Sequence, residues 1–274
     1  MLTLIHFSDI HFAPGDNGSQ FDLNERIRRE LLANLANLPA NSSNYDAVLV
    51  TGDIAYHGRK DEYETARHFL DEVYSITGLS MKETYVVPGN HDVDRAYVQP
   101  GFPLWDSHEA IRAKADPIHW KDTIQKQLKK DPLQTLLAPF RTFNYFAQEC
   151  GCQTTADKLA WSLLFPKPLE LGFLLRLHGL NSALISDAAD APAKLLVSEF
   201  QTTDLGNTPS EINLVMCHHP PDWLMDKAEV RQMLRRCAPI ALFGHEHSAR
   251  VQRDDKLILP RDSGHLEKGG ACSP

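Results

Sequence analysis

Residues 84–92, TYVVPGNHD, decide the fold. An apolar run of buried-strand length ends at a tight turn, and the turn carries the donor side chains Asn90, His91 and Asp92. Gly89 suits such a turn because glycine tolerates backbone angles that other residues avoid. The stretch therefore predicts a strand whose carboxyl end presents metal-binding and acid–base groups.

Four more apolar runs end in the same way. In an open α/β sheet, ligands gather outside the carboxyl ends of the strands, because the loops that leave the strands open on one side. Donors far apart in sequence are therefore expected to converge on one site. The runs cover residues 2–8, 47–51, 212–217 and 239–243, and the donors that follow them are Asp9, His11, Asp53, His218, His245 and His247.

The segments between the first three runs predict helices. One follows the polar loop after the first run, and a second, at about residues 61–77, stops before Gly78. A β-α-β-α-β order implies a parallel sheet with right-handed crossovers. The residues that share the apolar face of the first helix are Ile27, Leu31, Leu35 and Leu38.

The middle of the chain follows a different pattern. Residues 95–155 show no clear strand, and stretches bounded by proline predict helices at 105–115, 117–130 and 132–150. We predict that this segment is a helical cap inserted beside the site. A packing embellishment is an equally good interpretation, because lids and surface insertions look alike in sequence.

Strand patterns return after the helical segment and indicate a second sheet. Residues 1–274 are then one domain that carries the insertion, since a chain of 274 residues can bury one substantial core. The predicted strands lie at 159–165, 172–180 and 183–185, followed by a helix at about 226–236 and a closing hairpin around Asp254 and Asp255.

Composition limits the class of protein. A formal net charge of −8 disfavours a protein that holds nucleic acid by neutralising phosphates, although a local basic groove is compatible with it. The chain has no apolar stretch of membrane-spanning length and no signal-peptide pattern, so we expect a cytoplasmic protein with no membrane association. Five cysteines do not indicate a disulfide framework, and Cys150 and Cys152 are only a weak soft-metal pair.

The donor set suits a pair of divalent cations. Two such cations about 3.5 to 4 Å apart form a clamp for displacement at phosphorus and lower the pKa of bound water. Carboxylate, amide and imidazole donors without thiolate favour Mn, Fe or Zn and do not choose among them. We therefore predict a two-metal phosphoester hydrolase with two divalent metal ions as cofactors.

The set of motifs resembles that of the calcineurin-like metallophosphoesterases. The resemblance spans nearly the whole chain, and it implies an α/β fold, a four-layer αββα sandwich of two mixed sheets flanked by helices. In chain order the motifs are D-x-H (Asp9, His11), G-D (Asp53), G-N-H-D (Asn90, His91, Asp92), H (His218) and G-H-x-H (His245, His247).

The resemblance also implies a role for each motif residue. Asp53 would bridge the two metals, His91 would contact phosphate and protonate the leaving oxygen, and Asp92 would orient or charge-stabilise His91. The other ligands would be Asp9, His11 and His247 on one metal and Asn90, His218 and His245 on the other.

Within the family, the chain looks most like bacterial cyclic-nucleotide and glycerophosphodiester phosphodiesterases, on its GDIAYHG segment (52–58) and its HHPP turn (218–221). A small phosphodiester is the expected substrate, attacked by a hydroxide that bridges the metals. A nuclease of the same fold and a catalytically inert scaffold that binds protein partners are the alternatives. The family usually adds more strand sequence after G-H-x-H than residues 248–274 offer, so a shortened closing edge of the second sheet is expected.

Overall fold

Seven strands in two sheets organise the part of the chain that the structure describes. The structure is a computed structural model, and it describes eight segments of the chain. These are residues 2–13, 23–37, 45–113, 116–130, 135–169, 172–203, 205–206 and 208–246.

The first sheet contains β1 (Leu4–Phe7), β2 (Ala47–Thr51) and β3 (Thr84–Val87). The strands lie in the order β1-β2-β3, and both pairings are parallel. Every residue of β2 and β3 is buried, as the uninterrupted apolar runs predict for strands covered on both faces. The carboxyl ends of all three strands therefore lie at one edge.

Helices α1 (Leu23–Ala36) and α2 (Lys60–Thr77) follow β1 and β2. Helix α2 has the predicted bounds, and it ends at Gly78, whose φ of 75° gives a left-handed cap. The predicted buried face of α1 is only partly right, because Ile27 is 56% exposed and Leu31 is also exposed. Leu38, the fourth residue of that face, lies outside the described residues.

Three helices follow the first sheet, as predicted, but the third is shorter than predicted. They are α3 (Pro103–Arg112), α4 (Pro117–Leu128) and α5 (Arg141–Glu149), and α3 and α4 start with the proline that suits a first helical position. Of the helix expected at 132–150, residues 135–140 form a turn and a short 3-10 helix, and the α-helix begins at Arg141. Burial raises the pKa of the Cys152 thiol to about 12, which disfavours the thiolate that a metal would need. Whether this segment acts as a cap stays a prediction.

The second sheet has mixed pairing. Its order is β4-β5-β6-β7, with β4 antiparallel to β5 and the other pairs parallel. The predicted strand at 183–185 is wrong, since these residues form a buried turn after β5. The strands are β4 (Trp161–Leu164), β5 (Leu174–Leu180), β6 (Glu211–Cys217) and β7 (Ile240–Leu242), and α6 (Lys227–Cys237) joins the last two.

The two sheets contact each other through the aromatic side chain of Trp161 on β4. Its indole Nε1 donates a hydrogen bond of 2.9 Å to the carbonyl oxygen of Val86 on β3. The predicted α/β architecture of two sheets with helices is confirmed, with all described pairings of the first sheet parallel. Among the described helices, none has the length and apolar composition needed to cross a bilayer.

Candidate metal centre

The turns that follow the strands hold four predicted ligands in the left-handed backbone region. The φ angles are 56° at Asp9, 51° at His11, 52° at Asp53 and 70° at His245. Such angles cost on the order of 1–3 kcal/mol for a residue other than glycine and persist only where the surroundings fix them. Backbone bonds fix the first two of these residues, from Asp9 N to Gly52 O (3.2 Å) and from His11 N to Asp53 O (3.0 Å).

Asp53 lies at the centre of the site and is only 2% exposed. Its Oδ1 accepts the backbone N–H of His91 at 2.9 Å, while its Oδ2 lies 3.3 Å from His218 Nε2 and 3.8 Å from His11 Nε2. A Cβ on Gly89 would sit 2.1 Å from Asp53 Oδ1, so this position requires glycine. Burial disfavours the ionised carboxylate of Asp53 and would raise its pKa. The charges of His218 and His91 and their hydrogen bonds to the carboxylate outweigh this effect, so the pKa of Asp53 is lowered.

His218 reaches Asp53 from the second sheet. The carbonyl oxygen of Thr51 lies 2.7 Å from His218 Nδ1, and because a carbonyl only accepts, the ring donates through Nδ1. The Nε2 of the neutral ring then points its lone pair at the Asp53 carboxylate, which is unfavourable without a positive charge between them. Despite the burial, Asp53 raises the pKa of His218 to about 9, so a proton supplies that charge when no cation does.

The first and last donor turns are held together by Asp9. The backbone N–H of His245 lies 3.1 Å from both carboxylate oxygens of Asp9, and Ser8 Oγ donates to one of them. A Cβ on Gly244 would lie 2.0 Å from Ser8 Oγ, which explains the glycine of the G-H-x-H motif by close approach. The Trp223 ring lies 4.1 Å from the His245 ring and forms a wall there.

Asn90 faces two imidazoles. Its Oδ1 lies 3.1 Å from His245 Nδ1 and 3.1 Å from the Nε2 of His219. Burial, with the charges of His218 and His245, lowers the pKa of His219 well below its ordinary value, so this ring is neutral at pH 7. At the sequence level His219 stands out only within the HHPP turn, and the structure places it, 0% exposed, among the predicted ligands.

His91 has a different orienting partner from the predicted one. Its Nδ1 lies 2.9 Å from the carbonyl oxygen of Tyr56, so Nδ1 carries the donated proton and Nε2 is left to act on a substrate. The His91 ring lies 4.6 Å from that of His11 and 5.0 Å from that of Tyr56. Tyr56 is 43% exposed and borders the site on this side.

Asp92 is fully buried and connects the second and third turns. Its carboxylate accepts hydrogen bonds from the backbone N–H groups of Ala55 and Gly89 (both 2.9 Å), Ile54 (3.3 Å) and the hydroxyl of Tyr63 (2.8 Å). These contacts correct the predicted pairing with His91. They give Asp92 the role of fixing the backbone around Asp53.

The structure gathers six of the seven predicted ligands, and the seventh, His247, lies outside the described residues. Asp53 belongs to two groups whose ligand atoms all lie within 4.8 Å of one another. This donor set would fit divalent cations, and its oxygens and imidazoles suit Mn, Fe or Zn alike. The groups are His11, Asp53 and His91; Asp9, Asp53 and His218; and His218, His219 and His245.

Sequence reasoning missed three supporting contacts. The Thr51 carbonyl that orients His218 carries no sequence signal, because any residue offers one. Tyr63 lies within the predicted second helix and is buried, and its hydroxyl bonds to Asp92. Ser182 follows β5, where the sequence shows no donor motif, and bonds to His219.

Comparison with known proteins agrees with this geometry. The family model described as calcineurin-like phosphoesterase matches residues 2–249. Over 93 residues, the chain is 34% identical to a Bacillus subtilis (strain 168) protein described as the uncharacterized metallophosphoesterase-like protein YydB. That similarity covers 33% of this chain and 18% of the relative. Because the family model covers nearly the whole of it, this chain belongs to the calcineurin-like phosphoesterase family.

Proposed function

We propose that this protein is a phosphodiesterase that hydrolyses small phosphodiesters, such as cyclic nucleotides or glycerophosphodiesters, with two divalent cations. Family membership indicates metal-dependent hydrolysis of phosphoesters. The diester substrate and the role of each residue go beyond family membership and are our proposal.

One observation carries it: carboxylates and imidazoles from both sheets converge on the buried carboxylate of Asp53. Proteins rarely place ionised groups where water is excluded unless a charge partner or a metal meets them. The partners of Asp53 are the imidazoles of His218 and His11 and the backbone of His91. Imidazole nitrogens can bind metal ions, so the rings of His218 and His11 bring possible metal-binding atoms close to the carboxylate of Asp53.

We assign the two cations to the seven predicted ligands. When bound, such a pair activates water and offsets the charge on phosphoryl oxygens. The protein supplies the remaining steps. The Tyr56 carbonyl accepts the Nδ1 proton of His91, which leaves Nε2 free for the substrate. When the ring carries a second proton on Nε2, it donates that proton to the leaving oxygen and keeps the one on Nδ1. The ligands, in chain order, are Asp9, His11, Asp53, Asn90, His218, His245 and His247.

A small substrate fits the surroundings. Tyr56 borders the donor cluster beside His91 and Trp223 borders it beside His245, so the walls of the site are aromatic and close to the ligands. The net charge of −8 gives no general attraction for a polyanion. These features support a small diester over nucleic acid.

The first experiment measures metal content and turnover. We expect close to two equivalents of Mn²⁺ per chain and hydrolysis of bis-p-nitrophenyl phosphate. His91→Ala should keep the metal and lose roughly 100-fold or more in kcat, the usual contribution of a positioned acid. His68→Ala, an exposed histidine on α2, is the matched control and should behave as wild type. Full Mn²⁺ loading without hydrolysis of any phosphoester would leave the inert scaffold as the better interpretation.

The second experiment separates substrates. We expect turnover of 2′,3′- or 3′,5′-cyclic nucleotides or of glycerophosphodiesters, and no cleavage of single-stranded DNA by the same preparation. Efficient cleavage of DNA with no turnover of the small diesters would favour the nuclease.

A further inference from the structure

Two adjacent histidines at the end of β6 have different hydrogen-bond partners. His218 donates its Nδ1 proton to the Thr51 carbonyl, which leaves the lone pair on Nε2. His219 has its Nδ1 2.9 Å from the hydroxyl oxygen of Ser182 and its Nε2 3.1 Å from Asn90 Oδ1. The two rings are 4.6 Å apart, and both are 0% exposed.

The direction of each bond around His219 follows from its partners. The backbone N–H of His219 donates to Ser182 Oγ at 3.0 Å, so that oxygen already accepts one hydrogen bond. Its own proton is then available to His219 Nδ1. The Cys217 thiol donates to the carbonyl of His219 at 3.5 Å, so it acts here as a donor and does not need the Ser182 proton. With Ser182 as the donor to Nδ1, the His219 proton lies on Nε2, and the Asn90 oxygen 3.1 Å away accepts it.

A proton on Nε2 determines what His219 can do. Asn90 Oδ1 accepts that proton, and a nitrogen that carries a proton has no lone pair for a metal. The same bond selects one of the two orientations of the Asn90 carboxamide, because the flipped amide would put its N–H₂ group against the N–H of His219. The carbonyl oxygen of Asn90, which is the metal-binding atom of an amide, is thus kept toward the donor cluster.

We propose that Ser182 and His219 form a buried relay that positions Asn90 for its metal, and that His219 is not itself a ligand. The proposal rests on the metal centre of the proposed function. It divides the group of His218, His219 and His245, whose ring nitrogens all lie within 4.8 Å, into two ligands and one positioning residue.

The variants test the relay by Mn²⁺ affinity, measured from the electron paramagnetic resonance signal of free Mn²⁺. His219→Leu removes the donor, and Ser182→Ala removes the group that fixes its ring. Both should weaken binding of one Mn²⁺ about 10- to 100-fold, the usual effect of losing a group that orients a ligand. His219→Gln places an amide N–H near the position of Nε2 and should restore part of the affinity.

Ser186→Ala is the matched control, because Ser186 is a buried serine in the same segment after β5 whose hydroxyl bonds to Asp190 instead. It should bind Mn²⁺ as wild type does. Far-ultraviolet circular dichroism of the metal-free variants checks that each one folds. Equal Mn²⁺ affinity in wild type, His219→Leu and Ser182→Ala would overturn the relay while leaving the proposed metal centre intact.

A measurement on the wild-type protein does not depend on any variant folding. Nitrogen-15 spectra of ring-labelled histidines, with the His219 signals assigned from His219→Gln, report which ring nitrogen carries the proton. We expect His219 to keep its proton on Nε2 before and after addition of Zn²⁺. Loss of that proton on Zn²⁺ addition would make His219 a direct ligand and overturn the proposal. Wild-type protein that binds neither Mn²⁺ nor Zn²⁺ would overturn the relay and the proposed function together.

Discussion

Two buried polar clusters in this protein balance their charges in different ways. The donor cluster around Asp53 joins the two sheets, whereas a second one, the arginine cluster, joins helix α3 to the segment after β5. In the arginine cluster, Arg112 Nη1 lies 3.0 and 2.8 Å from the two carboxylate oxygens of Asp187. The cluster consists of His108, Arg112, Ser186, Asp187 and Asp190.

The difference lies in the source of positive charge. Arg112 brings a permanent cation into the arginine cluster, and its Nη2 also donates to the carbonyl of Ile185 at 2.6 Å. Asp53 is faced instead by the imidazole of His218, which becomes positive only by taking up a proton. A cluster that contains its own cation has its negative charge balanced and serves as a structural tie, that is, it holds two parts of the fold together. A cluster that relies on imidazoles has no permanent positive charge and can accept a metal ion. Four predictions test this distinction.

The largest effect is expected from Asp53→Asn, which removes the carboxylate shared by two donor groups. Loss of several kcal/mol of charge stabilisation corresponds to a roughly thousandfold lower kcat/KM on bis-p-nitrophenyl phosphate. Mn²⁺ affinity should fall by more than the 10- to 100-fold that loss of an orienting residue costs. Titration calorimetry and steady-state kinetics measure both.

Asp187→Asn is the matched control, a buried aspartate to asparagine change in the arginine cluster. The folded fraction of this variant should bind Mn²⁺ with wild-type stoichiometry. If Asp187→Asn abolished Mn²⁺ binding as fully as Asp53→Asn, the two clusters would not be functionally distinct.

The second prediction concerns stability. Arg112→Met removes the cation and leaves Asp187 buried without its guanidinium partner, which typically costs about 3–5 kcal/mol. Urea denaturation of the metal-free protein measures the change in free energy of unfolding. Arg26→Met, a surface arginine paired with Glu30 on α1, should change it by less than about 1 kcal/mol. A similar small loss for Arg112→Met would mean that the arginine cluster is not a structural tie.

The third prediction is that added cation stabilises one cluster only. Mn²⁺ at one hundred times its dissociation constant should stabilise the wild-type protein by about 2.7 kcal/mol for each site, because it binds the folded state alone. Thermal denaturation with Mn²⁺ or a chelator measures this. The increment should persist in Arg112→Met and disappear in Asp53→Asn. An equal increment in all three proteins would place the cation elsewhere.

The sequence predicted one of these clusters and not the other. Each donor of the first cluster follows an apolar run at a strand end, and parallel strands bring such ends to one edge, so Asp9, Asp53 and Asn90 could be placed together in advance. His108 and Arg112 look like ordinary residues of an amphipathic helix. Their partner Asp187 is 75 residues from Arg112 and follows a run, 183–185, that the sequence marks as a strand.

The directions of hydrogen bonds were also beyond sequence reasoning. The family resemblance implies that Asp92 orients or charge-stabilises His91. In a turn, however, neighbouring side chains point apart, and Asp92 turns inward to four donors while His91 bonds to the Tyr56 carbonyl. Backbone carbonyls and amides are available at every position, so a pattern of side chains cannot show which ones orient a ring.

The smallest predicted effect is a pH dependence specific to the arginine cluster. Burial, only partly offset by Ser186, raises the pKa of Asp190 from its ordinary 3.8 to about 6. Between these values the folded protein holds a proton that the unfolded chain has released, so this group makes stability fall as the pH rises from about 4 to about 6. In Asp190→Asn, that part of the slope should vanish, a difference of about 2 kcal/mol between pH 4 and pH 6. Urea denaturation of the metal-free proteins at pH 4, 5, 6 and 7 measures it, and parallel curves for the two proteins would show that Arg112 keeps Asp190 ionised throughout.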